Sequence, residues 1–234
     1  MDTYNKLYNF QNLVLNEVGE MNTPFYLTGG TALGRFYLNH RWSDDLDFFV
    51  NGEDEFGTWV KQISQQLKKV FRHDAASDVV AEDFYRCFLE NENLHLKVEF
   101  VNDVESYIGA PIIFGKFKVD NVENILSNKL SALLGRDEAK DVFDIIFISL
   151  NYSFNWKTIF TAAKEKALMN ELDILQRLTT FPVELFTEVR WRKEQIDLNQ
   201  YSEWLKQIAL DFSLGNDNSL GKDKMNIKNA KPNL

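Results

Sequence analysis

Between residues 94 and 100 apolar and polar side chains alternate strictly: Leu94, Leu96, Val98 and Phe100 against His95, Lys97 and Glu99. A period of two sends the first set to one face of a β-strand and the second to the other, so the segment fits a sheet with one greasy and one polar face. Shorter strand-like runs fall at 25–27, 46–50 and 85–89. Leu7, Phe10, Val14 and Val18 step like a helix, as do Phe56, Val60, Ile63, Leu67 and Val70. After Gly109 and Gly115, read as a connection, only helical periodicity remains, over 122–134, 138–150, 156–169, 172–178 and 196–212, with a break at Pro182. Strands and helices first, then helices alone, predict an α+β chain: a core over 1–120, a helical domain over 121–212 and a flexible polar tail over 213–234.

The 234 residues include 19 Phe and 5 Trp, enough bulky apolar material for a sizeable core. A single cysteine, Cys87, excludes an internal disulfide and fits a reducing cytoplasm. No apolar run approaches membrane-spanning length, and residues 1–6 lack the basic start of a leader, so no membrane partner is expected. The formal charge of −9 argues against a protein that coats nucleic acid with its whole surface. Residues 187–234 carry a net +1, which makes them the less repulsive surface for RNA.

The sharpest local signal is Gly29-Gly30-Thr31 followed by Ser43-Asp44-Asp45-Leu46-Asp47. Glycines after a strand let backbone N–H groups approach a polyphosphate, and a helix start adds partial positive charge. Asp45 and Asp47, two apart on a strand, leave the same face and can share a hard cation such as Mg²⁺. Glu99, on the polar face of the alternating strand, is the natural third carboxylate and could orient or deprotonate an attacking hydroxyl. Taken singly, each part has a bland reading: a plain turn, a solvated strand end, a wet strand face.

A second oddity lies in the helical half. Lys129 interrupts the stripe Val122, Ile125, Leu126 and Leu133, with Arg136 one step on, and Asp141 and Asp144 share a face with Ile145 and Ile148. Either these acids form structural salt bridges with Lys129 or Arg136 at the domain junction, or they act in catalysis while Lys129 points at an anion between the halves. Arg41 either braces its loop or touches phosphate. His40, His73 and His95 are too scattered for a metal set and read as surface or packing residues.

These residues resemble the nucleotidyltransferase superfamily, whose signature is a Gly-Gly or Gly-Ser turn, a gap and Asp-x-Asp. Gly29-Gly30-Thr31-Ala32-Leu33, the run His40–Asp47, Lys129-Leu130-Ser131-Ala132-Leu133-Leu134-Gly135-Arg136 and Lys140-Asp141-Val142-Phe143-Asp144 are similar to the AbiEii/AbiGii toxin branch, of the type IV toxin–antitoxin kind. The resemblance implies a nucleotidyltransferase-type mixed β-sheet with flanking helices, followed by a C-terminal helical bundle. It also implies transfer of a nucleotide from an NTP with release of pyrophosphate, one or two Mg²⁺, an acceptor such as tRNA or another RNA, and a cognate antitoxin. By the same carry-over Gly29, Gly30, Thr31, Arg41, Ser43, Lys129, Arg136 and Asp144 would bind the nucleotide, Asp45, Asp47 and Glu99 the metal, and Lys129 and Asp141 would complete the catalytic set. Two alternatives stay open: a transferase acting on a small, antibiotic-type molecule, and a non-catalytic nucleotide-binding module.

Overall fold

The computed structural model describes residues 2–136, 138–188, 192–193 and 195–233; Met1 and Leu234, named in the readings of the two termini, lie outside them. The chain divides into two compact units, interleaved in sequence. The first comprises residues 1–32, 43–105 and 111–120, and the second 33–42, 106–110 and 121–234.

In the first unit the alternating segment becomes β6 (Leu94–Asp103), with Leu96, Val98 and Phe100 fully buried. It lies between β2 (Leu46–Asn51), parallel to it, and β5 (Phe84–Asn91), antiparallel. Beyond β2 come β1 (Tyr26–Leu27), β8 (Phe117–Val119) and β7 (Ile112–Phe114). Beyond β5 come β3 (Arg72–His73) and β4 (Val79–Ala81). The sheet is mixed, as the family resemblance implied. Alternation on β2 and β5 repeats that of β6: Leu46, Phe48 and Val50, and Tyr85, Cys87 and Leu89, all point into the core. The helices α1 (Asp2–Glu20) and α3 (Phe56–Val70) add their stripes Leu7, Phe10, Val14, Val18 and Phe56, Val60, Ile63, Leu67 to that core. Phe100 meets Phe48 and Phe25 at ring distances of 5.1 Å each.

The hairpin β7–β8 replaces the expected connection. Gly115 supplies its turn with φ +60°, a conformation that glycine adopts without a Cβ penalty.

The second unit contains α4 (Val122–Gly135), α5 (Ala139–Asn151), α6 (Trp156–Lys166), α7 (Glu171–Thr180), the short α8 (Leu185–Glu188) and α9 (Leu198–Leu214). Asn121, Asn155, Asn170 and Asp197 cap four of these helices by accepting backbone N–H groups. Phe143, Phe147, Phe186 and Tyr201 form an aromatic core. Two expectations change here. Residues 33–42, placed by the sequence reading in the core domain, belong to this unit. Residues 216–233, expected to be a flexible tail, are docked: Asn218 Nδ2 donates to the carbonyls of Ser149 (2.7 Å) and Tyr152 (2.8 Å), and Ile227 and Ala230 are buried. Polar composition concealed the anchor, since Asn218 satisfies buried carbonyls at the end of α5 rather than meeting solvent.

Candidate active site

Strand β1 ends at Leu27 and the chain turns at once into α2 (Gly29–Leu33), which runs on as a π-helical turn over Gly34–Leu38. Gly29 adopts φ +68°, and a Cβ there would stand 3.0 Å from Asp47 Oδ2. Both the backbone conformation and the closeness of the carboxylate therefore require glycine. The buried Asp120 fastens the same turn, accepting from Thr28 Oγ1 at 2.5 Å. Thr31, fully buried, lies with its Oγ1 2.8 Å from Ser43 Oγ and donates to the Asp45 carbonyl, so Thr31, Ser43 and Asp45 form one hydrogen-bonded corner next to the glycine turn.

On the polar face of the sheet, register places Asp47 opposite Glu99 and Arg86 opposite Glu99 on the other side. Arg86 Nε donates to Glu99 Oε1 at 2.6 Å. Lys97 Nζ bridges Asp45 Oδ2 (2.9 Å) and Glu99 Oε2 (3.2 Å). Burial, then the negative charges of Glu99 and Asp45, push Asp47 up to about 7. Burial also pulls Glu99 upward, but Arg86 and Lys97 outweigh it and hold its carboxyl below the ordinary range. Glu99 is thus held as a carboxylate between two cations, an arrangement in which it can orient a neighbouring donor. Among the described residues no three His, Cys, Asp or Glu side chains converge into a metal-binding cluster. Asp45 and Glu99 instead turn toward Lys97. The oxygen-only donor set of Asp45, Asp47 and Glu99 still suits a hard divalent cation, and the raised Asp47 marks a place short of positive charge.

In the helical unit, Asp144 is completely buried. Its Oδ1 accepts from Arg41 Nε (2.6 Å) and His40 Nε2 (2.8 Å), and its Oδ2 from Arg41 Nη2 (2.8 Å) and Lys129 Nζ (2.7 Å). Lys129 also reaches Asp141 Oδ1 at 2.6 Å, and Arg136 grips Asp141 through Nε at 2.7 Å and Nη2 at 3.1 Å. Burial would raise both acids, yet Arg41 and Lys129 hold Asp144 well below the usual carboxylate range, and Lys129 and Arg136 lower Asp141. Burial lowers the pKa of His40, which lies against Phe143 and Phe147. Of the two readings for these residues, the structural salt bridge is present within this unit. Arg41, 2% exposed, grips the buried Asp144 and donates to the Trp42 carbonyl, which is the loop-bracing one of its two expected roles. The side chain of Arg136 is half exposed.

Residues 14–213 match the family described as nucleotidyl transferase AbiEii toxin, type IV TA system. The chain belongs to this family. A relative of this AbiEii member, an uncharacterized protein of Aquifex aeolicus (strain VF5), is 28% identical over 149 residues, covering 61% of the chain and 66% of the relative. JHP933 of Helicobacter pylori has a similar structure, with TM-score 0.59 and 20% identity over 92% of this chain and 94% of that one. MenT4, a nucleotidyltransferase toxin of Mycobacterium tuberculosis H37Rv, gives TM-score 0.54 and 14% identity over 94% and 85%. At such identities the likeness establishes the fold, and it agrees with the family assignment.

Sequence reasoning missed Lys97, Arg86 and Asp120, and it read His40 as a surface or packing residue without its bond to Asp144. Lys97 was visible as a charge two residues before Glu99, on the same strand face. Arg86 and His40 gain their meaning only from pairing across the sheet and across the chain, which no local pattern carries.

Proposed function

We propose that this AbiEii protein is a magnesium-dependent nucleotidyltransferase that moves a nucleotide from an NTP to an acceptor, tRNA or another RNA, with release of pyrophosphate, as the toxin of a toxin–antitoxin pair. The observation that carries the reading is the approach of Asp47 to Gly29, which brings the acidic pair and the glycine turn into one corner. Family membership supplies the reaction class.

In this account Asp45 and Asp47 hold Mg²⁺, with Glu99 beside them. When bound, one or two such ions offset the charge on the triphosphate and on the departing pyrophosphate. Gly29 and Gly30 leave the backbone open to phosphate oxygens, and Thr31 and Ser43 fix the loop that sets Asp45. Glu99 is itself held in place by Arg86. In the helical unit Lys129 and Asp141 position Arg136, whose half-exposed guanidinium can meet an anion. Cytoplasmic residence fits the single, buried, unpaired Cys87, and no helix among the described residues is long and apolar enough to cross a membrane.

Sequencing the 3′ ends of cellular RNA after induced expression tests the acceptor. Added nucleotides with wild type, and none with Asp45→Ala, support the proposal; unchanged ends with both remove RNA as the acceptor.

A further inference from the structure

Lys97 places its ammonium between the carboxylate of Asp45, just before β2, at 2.9 Å and that of Glu99 on its own strand β6 at 3.2 Å, with Asp47 in the same sheet row as Glu99. We propose that Lys97 is a built-in counter-ion: it holds Asp45 and Glu99 while no divalent cation is bound, and an entering cation must displace it. Lys97 thereby sets the Mg²⁺ concentration at which the site fills. The inference rests on the metal-site reading above and adds the residue that regulates that site.

Three features carry it. An ammonium in contact with two acids competes directly with any cation that needs the same oxygens. The residue type suits release, because lysine offers a compact charge on a flexible stem, and this side chain is 27% exposed, so it can swing into solvent. Arg86, reaching Glu99 from β5 at 2.6 Å, keeps that carboxylate in place after Lys97 leaves. Charge points the same way: with Asp47 ionised, as a bound cation requires, the three acids with Lys97 and Arg86 sum to −1, and a divalent ion reverses the sign, which pushes the ammonium outward toward an arriving polyphosphate.

Equilibrium binding of Mn²⁺ to the full chain, followed by the electron paramagnetic resonance of the free ion, is the test. Lys97→Gln should lower the Kd for Mn²⁺ at least about tenfold relative to wild type. Lys97→Arg, which keeps the charge, should bind no more tightly than wild type. Equal or weaker binding by a Lys97→Gln protein with unchanged circular dichroism overturns the counter-ion role, while the metal site stands if wild-type binding is lost in Asp45→Ala. Absence of saturable binding in both wild type and Lys97→Gln removes the metal site itself, and the counter-ion with it. Should Lys97→Gln fail to fold, the wild type decides: the ¹³C resonance of reductively methylated Lys97 should move saturably with Mg²⁺, and an unmoved resonance overturns the proposal.

Discussion

Asp47 on β2 stands directly opposite Glu99 on β6, so two carboxylates occupy one row of a parallel strand pair. Like charges at that spacing are destabilising unless a proton or a cation relieves them. In the protein without metal the relief comes from Asp47 itself, pushed from 3.8 to about 7, and from Lys97 beside Glu99.

Asp47→Asn should therefore uncouple activity from stability. Nucleotide incorporation is expected to fall at least about a hundredfold, because a metal-binding carboxylate contributes several kcal/mol to offsetting transition-state charge. Stability should move the other way. Between pH 4 and 7 folded Asp47 holds a proton that the unfolded chain has released, so in EDTA the wild type loses stability as pH rises through this window. Thermal melts across the window should show that slope in wild type and a flatter profile in Asp47→Asn.

Asp144 behaves with the opposite sign. Its carboxyl is held well below the ordinary value, so its contribution is present above the unfolded pKa and is lost as pH falls through the folded one. Arg41→Ala leaves a buried carboxylate short of its bidentate partner and should cost about 3–5 kcal/mol in a urea titration at pH 7. The variant should also lose less of its remaining stability on acidification than wild type does.

The sequence made different parts of this arrangement legible to different degrees. The β6 alternation is a local property, and it located the strand and Glu99 on its polar face. Lys129, Asp141 and Asp144 were visible as charges on apolar helix faces, and the structural salt bridge was one of the two readings kept open. Their remaining partners, Arg41 and His40, lie 103 and 104 residues from Asp144, separations that no periodicity reports. The hairpin at 112–119 was passed over because Ile112-Ile113-Phe114 and Phe117-Lys118-Val119 are each too short to show a period. The docked segment at 216–233 was misjudged because its composition is that of a loop.

Gly29→Ala tests the corner of the site. The position needs φ +68°, and the added methyl would stand 3.0 Å from Asp47 Oδ2. A loss of about 1–2 kcal/mol in chemical denaturation is expected from backbone strain. Activity measured well below the denaturation midpoint should fall further than the unfolded fraction explains, since Asp47 must give way.

Gly221→Ala tests the docked segment. A Cβ there would lie 2.0 Å from the Tyr152 carbonyl oxygen, which the helical unit cannot accommodate. Limited proteolysis should cut the variant within 216–233 under conditions in which wild type is protected, while sheet amides keep their hydrogen-exchange protection.

The central claim is that the acidic pair beside the glycine turn performs metal-dependent nucleotide transfer. Its most direct measurement is incorporation of α-³²P-labelled NTPs into total RNA by the purified protein, with Mg²⁺ or with EDTA, for wild type and for Asp45→Ala matched in melting temperature. The account predicts label with wild type and Mg²⁺ alone. Label that persists in Asp45→Ala, or in EDTA, would contradict it.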